Sequence, residues 1–95
     1  MLKTLCELTG VSGYENNIRE KILDEIKPYI TSYEIDLMGN LIAYKIVSKE
    51  KKTVILSAHM DEVGLIVSGI TKDGMLNFDT VGGIDMSVLI SKKVC

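Results

Sequence analysis

The hydrophobic period of this chain changes once, near residue 30, and that change sets what the chain can fold into. Before it, Ile18, Ile22, Ile26 and Ile30, joined by Leu23, alternate with Arg19, Glu20, Lys21, Asp24 and Glu25. Apolar residues at that spacing fall on one stripe of an α-helix, with charged residues on the opposite face. The stripe predicts an amphipathic helix that Pro28 ends or bends near Lys27. Upstream, Leu2, Leu5 and Cys6 predict a short helix over 2–8, with Gly10 as its C-cap and Cys6 on the apolar side. Between the helices, Ser12 with Glu15 three residues later has the form of a capping box.

Beyond residue 30 the pattern is strand-like. Residues 32–37 alternate, Met38-Gly39-Asn40 has turn chemistry, and Leu41–Val47 reads as a second strand, which predicts a hairpin over 32–47. Ser48–Lys52 is a polar loop. Thr53-Val54-Ile55-Leu56-Ser57-Ala58 is a short, largely apolar run with β-branched residues at its start. Such a run predicts a strand buried on both faces. A second hairpin turns at Thr71–Gly74 between Val63–Val67 and Met75–Val81, Gly82-Gly83 breaks it, and a last strand is expected near Ser87. The boundary between two regions is expected just after Glu62.

Length and composition then narrow the function classes. The chain has 95 residues, 11 basic and 13 acidic, for a net charge of −2. With no basic excess, charge-driven nucleic-acid binding is not expected. No window of about 18 apolar residues is present, so no membrane-spanning helix is expected. The N-terminus is too polar for a signal peptide. Cys6 and Cys95, at opposite ends, do not make a disulfide framework, which favours a reducing cytoplasm. A chain this small buries only about 60–65% of its unfolded surface. It also ends in Val88–Cys95, which reads as a strand in progress, and the expectation is that it is the front part of a longer protein.

One position stands out chemically. His59 is the only histidine, and it directly follows the expected buried strand. Ligand chemistry in α/β sheets gathers at the carboxyl ends of strands. Asp61 lies two residues on, on the same side of an extended backbone. A carboxylate beside a metal-binding imidazole fixes its tautomer and raises its basicity. A lone His at a strand end is more often a structural, hydrogen-bonded residue, and spacing alone leaves both readings open. A catalytic zinc needs about three protein ligands. With one His, no HExxH and no CxxC, any metal partners of His59 are expected outside the chain. Gly10-x-x-Gly13 lacks the strand and the GK[ST] of a phosphate loop. Cys6 and the methionines read as core filling.

Four blocks occur in order: Leu8–Glu15 (LTGVSGYE), Asp36–Leu41 (DLMGNL), Ala58–Gly64 (AHMDEVG) and Val81–Asp85 (VGGID). Together they closely resemble the N-terminal part of the glutamyl aminopeptidase family of metallopeptidases, which includes deblocking and tetrahedral aminopeptidases and some members named endoglucanase. The resemblance implies an α/β fold: the start of a zinc-peptidase-like sandwich, two N-terminal helices and then a mixed sheet, leading into a truncated inserted β domain. Residues 1–62 would open the catalytic domain and 63–95 would be the first strands of the insert. It implies two divalent metals, zinc or cobalt, acting on peptide substrates in a cytoplasmic homo-oligomer, with His59 as metal ligand and Asp61 among the catalytic residues, supporting that His. The general base and the other ligands would lie outside this chain, so the chain alone is expected to be inactive.

Two other readings compete. The chain is a non-catalytic module that self-associates through exposed strands, or it is part of a related carboxypeptidase or deacetylase, since His-x-Asp is shared across that superfamily.

Overall fold

The computed structural model describes residues 1–48, 50 and 52–94. The chain divides into two compact units, Met1–Asp61 and Glu62–Cys95.

The first unit opens with α1, Leu2–Cys6. Its C-cap is Glu7, not Gly10, and Cys6 is exposed rather than in a core. Gly10 has a different task. A Cβ there would meet Ile18 Cγ2 at 3.0 Å, so the missing side chain lets the loop lie against the helix stripe. The next turn closes through Tyr14 N–H donating to the Val11 carbonyl at 2.7 Å, with Gly13 at φ +90. A positive φ at the third turn residue is what a type II turn requires, and glycine adopts it at no steric cost.

Helix α2 spans Asn16–Ile26 and ends where the sequence predicts, in a 3-10 turn over Lys27–Tyr29 that carries Pro28. The expected capping box is absent. Glu15 is the N-cap, and its Oε1 accepts from Gly13 N–H at 2.6 Å, so Ser12 is left outside the cap. The carboxylate expected to reach back to Ser12 finds its donor in the tight turn instead. Ile18 is the one hydrophobic side chain that is buried among the described residues.

Strands β1 (Ser32–Ile35) and β2 (Leu41–Tyr44) form the first hairpin, antiparallel, with Ser32 opposite Tyr44 and Ile35 opposite Leu41. Thr31 N–H continues the pairing to the Tyr44 carbonyl at 2.6 Å. Across the ladder, Tyr44 Oη donates to Glu34 Oε1 at 2.8 Å.

The second unit is built on β3 (Gly64–Ile70) and β4 (Leu76–Val81), antiparallel with a bulge between Val67 and Gly69. The turn falls at Thr71–Gly74 as expected. Gly74 N–H donates to the Thr71 carbonyl at 3.0 Å, and Gly74 sits at φ +81. Past Gly82 the chain forms a 3-10 turn, Met86–Val88, capped by Asp85 Oδ1, which accepts from Ser87 N–H at 2.9 Å. The strand expected near Ser87 is therefore a capped turn. The part of that expectation on Cys95 lies outside the described residues, as do Lys49 and Lys51 of the polar loop.

Two expectations fail for one reason. Residues 53–58 do not form a strand, and the expected mixed sheet is replaced by two separate two-stranded antiparallel sheets. Val54 is 81% exposed, Ile55 84% and Leu56 94%. An apolar run becomes a buried strand only when a ladder forms on its edges and layers cover its faces. Neither is supplied to 53–58 by the described residues. Most methionines are likewise exposed rather than core filling. No helix is long and apolar enough to cross a membrane among the described residues.

Candidate metal centre

The site is built at the end of the 53–58 segment. His59 is 86% exposed at its side chain and Asp61 is 42% exposed. The imidazole turns its Nδ1 toward Asp61, 3.2 Å from Oδ1 and 3.1 Å from the Asp61 backbone carbonyl. The i, i+2 spacing thus brings ring and carboxylate together, as the sequence predicts. Both contacts fall on one nitrogen. A proton on Nδ1 has two acceptors, and that tautomer leaves the Nε2 lone pair directed away from the pair.

This donor set fits one metal ligand with its supporting carboxylate, the arrangement that fixes a ligating imidazole. It does not make a whole site. Among the described residues, no three His, Cys, Asp or Glu side chains come together to hold an ion.

In the same unit, an open trough is lined by Ile22 and Ile26 of α2, Ile42 of β2, Ile55 and Leu56 of the extended segment, and His59. Asn40 lines it as well. Asn40 is held by Asp36, whose Oδ1 accepts from the Asn40 and Met38 backbone N–H groups at 2.8 and 2.9 Å. Asp36 Oδ2 accepts from Asn40 Nδ2 at 2.8 Å. These bonds, the Asn40 side chain foremost, hold the Asp36 carboxyl below the ordinary Asp value. The same turn is tied to α2. Arg19 Nη1 donates to the Gly39 carbonyl at 2.9 Å, while Nη2 donates to Asn16 Oδ1. Gly39, at φ +85, presents that carbonyl. Sequence reasoning finds the DLMGNL block but not Arg19, which reads there only as one charge on a solvated helix face.

The family model described as M42 glutamyl aminopeptidase matches residues 39–95. The chain belongs to that family. Lysyl aminopeptidase of Pyrococcus furiosus is 40% identical over 95 residues, covering 99% of this chain and 27% of that protein. The solved structure of an endoglucanase from Thermotoga maritima is similar with a TM-score of 0.85 and 44% identity, over 94% of this chain and 29% of that one. PhTET1-12s, solved as a dodecamer, is similar with a TM-score of 0.75 and 45% identity, over 88% of this chain and 25% of that one. The chain thus spans about a quarter of the length of these relatives. The resemblance carried by the four sequence blocks holds. Two helices followed by antiparallel β structure are a mixed α/β arrangement similar to these structures.

Proposed function

We propose that this chain is the leading part of a metal-dependent aminopeptidase that uses two divalent ions, zinc or cobalt, to remove N-terminal residues from peptides. In this reading residues 1–62 open the catalytic domain and 63–95 begin an inserted β domain. The assembly is a homo-oligomer, in keeping with the dodecameric PhTET1-12s. The sparse cysteines support a cytoplasmic location.

The observation that carries the proposal is the contact of His59 Nδ1 with Asp61 Oδ1 at 3.2 Å. Asp61 accepts the Nδ1 proton and holds the ring in one tautomer. His59 then offers an unprotonated Nε2 to an ion. A bound divalent metal supplies Lewis acidity and lowers the pKa of a bound water toward neutrality. His59 would hold such an ion and Asp61 would orient His59, while the base that takes the proton from water would come from outside this chain. The chain alone is therefore expected to release no amino acid from a peptide.

Cobalt titration followed by NMR tests the assignment. The His59 ring resonances should broaden first, and His59→Ala should abolish that site. Asp61→Ala should weaken binding by about tenfold, the low end for loss of a supporting carboxylate, because the Asp61 backbone carbonyl still accepts from Nδ1. Broadening centred elsewhere on the chain, or unchanged in Asp61→Ala, would contradict the roles of His59 as ligand and Asp61 as its support.

A further inference from the structure

We draw no further inference here: the strongest candidate, the exposed apolar face of the β3–β4 hairpin, where Val67 pairs with Phe78 and, past the bulge, Ile70 pairs with Leu76, carries none, because nothing in the structure shows what covers it.

Discussion

Replacing Gly39 by alanine should open the first hairpin, and the size of the effect follows from two local facts. Gly39 sits at φ +85, in the left-handed region. An L-residue held there costs about 1–2 kcal/mol through the clash of Cβ with the neighbouring carbonyl. The added Cβ would also lie 3.0 Å from Arg19 Nη1. That atom is the end of a long flexible side chain and can yield by a few tenths of an ångström, so sterics add little. Yielding lengthens the 2.9 Å bond from Arg19 to the Gly39 carbonyl, however, and loosens the tie between α2 and the turn. The backbone term therefore dominates, and it corresponds to a roughly 5–30-fold rise in the open population. Amide hydrogen exchange reads this directly at Thr31 N–H, which donates to Tyr44, and at Asp36 N–H, which donates to Asn40. Arg19→Met keeps the glycine backbone and the apolar stem of the side chain, and should produce a smaller rise. Unchanged exchange in Gly39→Ala, or a larger effect from Arg19→Met, would refute this ordering of backbone over side chain.

Gly82→Ala should be more damaging to the second hairpin than Gly39→Ala is to the first. Gly82 sits at φ +81, and its Cβ would meet Val63 Cγ1 at 3.0 Å and Val63 Cα at 3.6 Å. A β-branched side chain beside its own backbone yields less readily than an arginine tip. Exchange at the β3–β4 amides measures it, and protection equal to the parent would contradict the expectation. The Asp36 turn should be acid-sensitive only well into the acid range. Its carboxyl is lowered in the folded chain, chiefly by the Asn40 side chain, so its contribution is fully present above the unfolded Asp value and is lost as pH falls through the lower folded one. The Asn40 side-chain amide resonances should therefore titrate with a midpoint below 3.8, the ordinary value. A midpoint at or above it would mean that the Asn40 and Met38 bonds do not hold the carboxylate.

Legible in the sequence is what neighbouring residues decide among themselves. The Ile18, Ile22, Ile26 stripe and Pro28 mark α2, because helix hydrogen bonds close within the segment. The turns at 38–40 and 71–74 carry glycines where the backbone needs positive φ, so both hairpins can be read directly. The 53–58 run misleads because a strand is completed by its neighbours, and composition does not reveal whether they are present. The cap at α2 misleads because Gly13 N–H competes for the Glu15 carboxylate. At the candidate metal centre, the His59–Asp61 contact is legible from i, i+2 spacing. The Arg19 tie is not, because it joins residues twenty apart through a backbone carbonyl that carries no sequence signature.

The central claim, that this chain supplies a metal-holding histidine to an aminopeptidase, is tested most directly in a chimera. Residues 1–95 would replace the matching segment of the Pyrococcus furiosus lysyl aminopeptidase, with release of an N-terminal lysine from a short peptide as the assay. The chimera should be active with divalent metal, and His59→Ala within it should lower activity by roughly 100-fold or more, together with bound metal. A correctly assembled chimera that stays inactive, or a His59→Ala chimera as active and as metal-loaded as its parent, would contradict the claim.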